Sequence, residues 1–360
     1  MKTNRRLTSA LKGAILSLFV LVLISVSGCG QGSDRPLVIA SYGGDWQAAQ
    51  KKTMFDPFAQ QSGVSVQDVS YSGQLGPITS QVQEGSVKWD VVDVEGNSVV
   101  VGQRKEILEP IDYSIVDTSN IISEAIHPYG VGIVSWSWVL AYNTEKFGEN
   151  PPNSWPDFFN VEEYPGNRGL RSDPRRVLEI ALLADGVSPD SLYPLDVERA
   201  LSKLDQLSSD LQEAGYQIIW WEEYARPATL LGDGQVVMTP STNGRTATAR
   251  KEGVPAAFSW NGGIVDLDWW VVPKGTPRRE AAMQFIDFAS SKEPQAGIAQ
   301  EIPYGPVNSA TFESIPDSTE QRLPTAPQNL EKQIYFNTEW WSENLDRIQS
   351  RWNEWYAQRQ

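Results

Sequence analysis

The chain has 360 residues, with 30 basic against 45 acidic side chains, one histidine, one cysteine and a net charge of −15. That balance argues against nucleic acid and anionic lipid as partners. A single histidine and a single cysteine exclude a His-rich metal site and a disulfide framework, and the length fits roughly two domains.

In chain order, Lys2, Arg5, Arg6 and Lys12 precede an apolar run from Ala14 to Val26, which closes on Val26-Ser27-Gly28-Cys29. This is the charge, length and small-residue ending of a secretory signal peptide over 1–28, too short for a membrane span. Cys29 resembles the acylated cysteine of a bacterial lipobox, with Val26 where leucine is usual. Loss of 1–28 removes those four basic residues and no acid, so the net charge moves from −15 to −19. With Cys29 lipidated, no thiol remains for disulfide, redox or metal chemistry.

A polar tether, 29–36, leads to a buried strand, Leu37 to Tyr42. A helix is predicted over Trp46 to Ser62, capped by Gly63. Next come a strand Val64 to Tyr71, a helix Pro77 to Glu84 and a strand Trp89 to Glu95, an alternation that argues for an α/β domain with a largely parallel sheet. Gly130 to Asn143 is one long apolar run, read as a strand crossing between domains. Trp136 and Trp138 share one of its faces, at the hinge or in the cleft. Val197 to Ala214 carries apolar residues at every third or fourth position between an Asp196 N-cap and Gly215. Strands follow at Gln217 to Trp221 and Gln235 to Met238, and Thr276-Pro277 opens a helix through Ala289. In Glu339 to Tyr356 the residues Trp341, Leu345, Ile348, Trp352 and Trp355 form a core stripe.

Between them lies Gly262 to Pro273. On a strand, Val265, Leu267, Trp269 and Val271 share one face, and Ile264, Asp266, Asp268, Trp270 and Val272 the other. Two neighbouring carboxylates therefore stand on an otherwise apolar face. Paired acids keep open a glycosidase or a sugar-binding protein with tryptophan platforms, although these two flank no evident substrate path. The sole histidine, His127, offers no triad, and there is no Gly-rich phosphate loop.

Several segments together resemble the extracellular solute-binding proteins of ABC importers, in the spermidine/putrescine-binding branch. They are Ser41-Tyr42-Gly43-Gly44-Asp45-Trp46, Trp89-Asp90-Val91-Val92, Trp155-Pro156-Asp157-Phe158-Phe159, Tyr164 to Leu170, Gly262 to Pro273 and Trp340-Trp341-Ser342-Glu343-Asn344. Each is weak alone, but their order spans nearly the whole mature chain. The resemblance implies a two-lobed α/β fold of the type II periplasmic-binding-protein kind, with discontinuous lobes joined by crossing strands and a ligand held between them. The lobes are expected at 37–137 plus 265–308 and at 138–264 plus 309–360. It also implies a non-enzyme without cofactor or metal, working as a monomer with a permease and an ATPase, outside the cytoplasmic membrane and held there by the lipid on Cys29.

On the resemblance, Asp268 pairs with a ligand amine, because a buried ammonium needs a partner charge. Asp173 matches an acid for a second amine. Arg176 replaces a further acid and would welcome a carboxylate instead, unless it points to solvent at a helix start. Tyr42, Tyr304 and Trp341 match contact positions, the two tyrosines offering cation-π faces and Trp341 also lying on the core stripe. Asn243 and Arg245 stand where polyamine binders carry a tryptophan, as hydrogen-bond donors. Glu95 follows the third strand at the sheet edge where α/β domains place ligands. Asp266 either faces solvent or adds a second cation contact. The leading expectation is a putrescine or spermidine binder; the alternative is the same fold holding a zwitterion such as γ-aminobutyrate, with Arg176 or Arg245 on its carboxylate.

Overall fold

The computed structural model describes residues 35–359. The signal-peptide segment, Cys29 and most of the tether lie outside them.

β1 (Leu37–Ser41), β2 (Val66–Ser70) and β3 (Val91–Glu95) are parallel neighbours. Two long strands follow, β4 (Gly130–Asn143) and β8 (Ala256–Val271), with β5 (Arg168–Arg171), β6 (Ile218–Trp221) and β7 (Met238–Thr242) between them in sequence. The sheet order is β2-β1-β3-β8-β4-β7-β5-β6. Its flanks are parallel, while β3–β8, β8–β4 and β4–β7 are antiparallel. The long apolar runs thus become the centre of the sheet, where both faces are covered and no alternation with polar residues is needed.

Each long strand serves two cores. On β4, Val131, Ile133 and Val134 pack with Leu37, Phe55, Trp270 and Phe285, whereas Trp136, Trp138 and Leu140 pack with Leu170, Leu204 and Trp352. On β8, Ile264 belongs to the second core. Past it the two faces part: Trp270 joins Val131 and Phe285, while Leu267, Trp269 and Val271 join Val92 and Val99. The predicted face alternation of this strand therefore holds, with each face meeting its own apolar layer. We refer to the units around these cores as the first and second lobes. Ile315, Leu323 and Ala326 form a separate small core with Ala296 and Ala299. A short strand β9 (Gln333–Tyr335) then runs parallel to Gly263–Val265 on β8 and leads into the helix Thr338–Tyr356.

The helices follow their caps. Val197–Glu213 starts with the Asp196 side chain accepting the Arg199 N–H and ends before Gly215, at φ 79°. In Thr338–Tyr356 the buried stripe is Trp341, Ile348, Trp352 and Trp355. Three expected elements differ. The 46–62 helix is interrupted by a π-helical turn, Lys51–Phe55. The strand expected at Gln235–Met238 begins at Met238, because Gly234, Gln235 and Val236 donate back to Leu230 and Leu231 and finish the preceding helix. The helix expected from Thr276 starts at Arg279: the Thr276 hydroxyl accepts the Arg278 N–H and donates to Asp90, forming a turn instead of a cap.

Candidate functional site

Charged side chains gather where β3, β8 and β4 meet. Register sets Asp268 between Glu95 on β3 and Val134 on β4, and Asp266 opposite Trp136. The first-lobe side is acidic. Asp93 is wholly buried; its Oδ2 accepts from Ser41 Oγ (2.9 Å), Trp46 Nε1 (2.7 Å) and Gln50 Nε2 (2.9 Å), while its Oδ1 has no hydrogen-bond partner among the described residues. Asp268, also buried, accepts from Trp136 Nε1 at 3.2 Å. Glu95 is half-buried at the end of β3.

Burial pushes the Asp93 carboxyl up to about 6, against the pull of its three donors. Burial, then the charges of Asp93 and Glu95, raise Asp268 well above the ordinary carboxylate range. With three donors on Asp93 and one indole on Asp268, Asp268 is the member that keeps a proton. A carboxyl raised in the folded state holds more protons there than in the unfolded chain, so its contribution to stability falls as pH rises from about 4 to about 6. Acidification from pH 7 to 5 should therefore stabilise the wild type by about 1 kcal/mol relative to Asp93→Asn, read from denaturant unfolding at both values. The comparison with the variant is needed because His127, lowered by burial, works in the opposite sense. Acids held low at the surface, such as Glu198 and Glu313, act only below about pH 4. Equal pH responses would show that Asp93 keeps an ordinary titration.

Two tyrosines wall the acids. Tyr42 stacks on Tyr71 at 5.6 Å, and its hydroxyl, without a partner among the described residues, is pushed up by burial and by Asp268 and Asp93. Gly73, at φ 86°, lies against its ring: a Cβ there would come within 2.6 Å. Tyr304 meets Trp46 edge-on at 5.5 Å and Gly244 from beneath, where a Cβ would come within 2.7 Å of the ring. Burial, then Asp268, push Tyr304 up to about 12.

The second-lobe side is basic. The turn from β5 to the helix Val177–Ala184 carries Arg171, Asp173, Arg175 and Arg176. Arg176 takes a positive φ of 69° at the helix start yet is only 2% exposed. Its Nη2 meets Asp266 Oδ2, while Nε and Nη1 have no hydrogen-bond partner among the described residues. Its guanidinium lies 5.0 Å from the Trp136 ring, 5.6 Å from Trp138 and 4.4 Å from Phe336. Asp266, 7% exposed, accepts the Leu267 N–H at 2.8 Å through its other oxygen. The two expectations for Asp266, solvent or a free cation contact, are both corrected: it is Arg176's partner. Arg176 in turn starts a helix as expected but points inward.

Other expected residues have different work. Asp173 does not stand open to an amine, since it holds Arg175 through Nε (3.0 Å) and Nη2 (2.7 Å) and lies 4.0 Å from Arg171. Asn243 is no free donor at the wall, because its amide holds the frame together, accepting the Ser137 N–H (2.9 Å) and donating to the Pro303 carbonyl (2.8 Å). Trp341, 1% exposed, is a core residue: it stacks on Phe336 and donates to Glu179. Arg245 is exposed near Tyr304. His127 accepts the Tyr129 N–H within its own turn. Asp93 was not anticipated, although an acid between valines in a buried strand is a legible signal. Among the described residues no group of His, Cys, Asp and Glu is placed to hold a metal. A surface groove of about 600 Å³ lies elsewhere, along Thr53, Phe288 and Pro294, and its Lys52 and Glu301 neutralise each other.

The arrangement is dipolar. Acceptors and aromatic faces stand on one side, and buried N–H donors of Arg176 and Arg171 without partners among the described residues on the other. A small molecule with an ammonium at one end and a carboxylate at the other satisfies both.

Comparison with known proteins agrees on family. The model of bacterial extracellular solute-binding proteins matches residues 53–325. The γ-aminobutyric acid-binding protein of Pseudomonas aeruginosa is 38% identical over 348 residues, 95% of this chain and 96% of the relative. The spermidine/putrescine-binding periplasmic protein of Escherichia coli is 23% identical over 277 residues, 74% of this chain and 77% of the relative. The solved structure of the Atu4243–GABA receptor superposes with a TM-score of 0.79 at 34% identity, covering 89% of this chain and 97% of the other. These neighbours share the two-lobed type II fold.

Proposed function

The chain belongs to the bacterial extracellular solute-binding proteins, and from that premise we propose that it captures a small zwitterionic amino-acid derivative, γ-aminobutyrate being the simplest, between its lobes. Solute-binding proteins of ABC importers bind small ligands and work with a permease and an ATPase. The observation that carries the ligand class is Arg176: a buried guanidinium with N–H groups unpartnered among the described residues, where a second amine would otherwise lie. A buried donor without an acceptor costs about 1–3 kcal/mol, so the position favours a carboxylate. Asp268, with Asp93 and Glu95 behind it, takes the ammonium, which enters as the shared proton leaves. Tyr42 and Tyr304 cover the methylenes.

The polyamine expectation gives way on two grounds. Asp173 is already neutralised by Arg175, and the N–H groups of Arg176 left without a partner among the described residues offer a distal ammonium donors where it needs acceptors. The nearer relative is the γ-aminobutyrate binder, at 38% against 23% identity. Lipidation at Cys29, anchoring the protein outside the cytoplasmic membrane beside its permease, completes the proposal.

Calorimetry on the mature protein tests it, with γ-aminobutyrate, putrescine, spermidine and a disaccharide as titrants. Saturable binding is expected for γ-aminobutyrate, and at least ten-fold weaker binding for both polyamines, whose second ammonium meets Arg176. Polyamine binding equal to or tighter than γ-aminobutyrate would restore the first expectation.

A further inference from the structure

Trp136 touches both ends of the candidate site. It stands on β4, 6% exposed, opposite Asp266 in register, while Asp268 pairs with Val134 two residues away. Asp266 and Asp268 share one face of β8 two positions apart, which sets their backbones roughly 7 Å from each other along the strand. The indole spans that interval. Its Nε1 donates to Asp268 Oδ1 at 3.2 Å, and its ring lies 5.0 Å from the guanidinium carbon of Arg176, whose Nη2 meets Asp266. Trp138 and Phe336 close on the same guanidinium at 5.6 and 4.4 Å. The acid read as the ammonium partner and the cation read as the carboxylate partner are thus separated by one rigid ring system, whose only torsions are two that burial already fixes.

We propose that Trp136 is the specificity-determining residue that sets ligand length, by fixing how far apart the ammonium and the carboxylate of a bound zwitterion lie. The inference rests on the zwitterion reading and adds the spacing of the two charges to it. It needs only one N–H of Arg176 to reach one carboxylate oxygen. Asp266 and Glu95 offset the charge of that arginine, but the offset is the same for every chain length and so does not decide between them. An ω-amino acid one methylene too short leaves one end out of hydrogen-bond reach, and one methylene too long has to buckle against the indole. A smaller ring in place of the indole removes the second limit. Asp268 loses the indole N–H at the same time, which changes the hold on every ammonium alike and cancels when two ligands are compared.

The experiment is calorimetry of wild-type and Trp136→Phe mature protein with β-alanine, γ-aminobutyrate, 5-aminovalerate and 6-aminohexanoate, a series that adds one methylene at each step and keeps both charges. Wild type is expected to favour one length and to bind its neighbours about ten-fold or more weakly. Trp136→Phe is expected to shrink the preference for that length over the next longer homologue by about five-fold or more. Trp220→Phe, which alters an indole packed on Trp352, Trp355 and Tyr356 of the last helix, should leave the ratio unchanged. An equal loss across the series in folded Trp136→Phe marks a merely structural role and overturns the inference, as does a larger ratio. Wild type binding all four within about three-fold overturns it too; each of these results leaves the zwitterion reading standing. Should Trp136→Phe not fold, Trp136→Met is read by the same ratio. Putrescine binding with no response to any of the four overturns both.

Discussion

Replacing Arg176 by methionine should abolish zwitterion binding, with a loss of about 3–5 kcal/mol, measured by calorimetry. The side chain is buried between Trp136, Trp138 and Phe336, so methionine keeps much of the packing while removing every donor. The same substitution strands Asp266, already raised by burial and lowered chiefly by Arg176. The ligand-free protein should therefore unfold more readily at neutral pH, and less so in acid, where Asp266 takes up a proton. Adding Asp266→Leu should restore stability without restoring binding, since an apolar pair of similar volume replaces a buried ion pair at little or no cost. That separation of stability from affinity distinguishes a ligand contact from a structural ion pair. An unchanged dissociation constant in Arg176→Met would remove Arg176 from the site.

The second large effect lies at the other end. Asp268→Asn is expected to weaken an ammonium ligand by roughly 2–5 kcal/mol, while the ligand-free protein keeps or gains stability. Both halves have one cause. In the free protein Asp268 is raised by burial and by Asp93 and Glu95, so the neutral amide resembles the protonated acid, and the Trp136 indole can still donate to its oxygen. Only when an ammonium arrives does the negative charge matter. Wild-type affinity should correspondingly fall on acidification, as the ammonium competes with the proton that the raised Asp268 keeps, and this pH dependence should be weaker in Asp268→Asn. Calorimetry at pH 5 and 7 reads both; equal affinity of wild type and variant at pH 7 would mean that the ammonium is held elsewhere.

Much of the frame is legible along the chain because the signals are local. The 14 residues of Gly130–Asn143 form one strand, long enough to leave one core and enter another. The face alternation between Ile264 and Val272 separates two apolar layers as the period of two requires. The Trp341-Ile348-Trp352-Trp355 stripe is buried. Failures of local reading have local competitors: bonds from Gly234 to Val236 back into the preceding helix delay β7, and a Thr276 turn delays the following helix.

The site was legible in its residues and not in its pairings. Asp268 and Arg176 stand out by chemistry, yet whether a charge is free depends on what lies beside it. Asp173 is spent on a neighbour two residues away, whereas Arg176 and Asp266 find each other across 90 positions of sequence. The amino-acid order by itself determined the elements and the faces they bury, because apolar periodicity and capping act over a few residues. Only the tertiary structure decided which charges are compensated and which await a ligand, because desolvation and Coulomb energy depend on distance and burial after the lobes have formed.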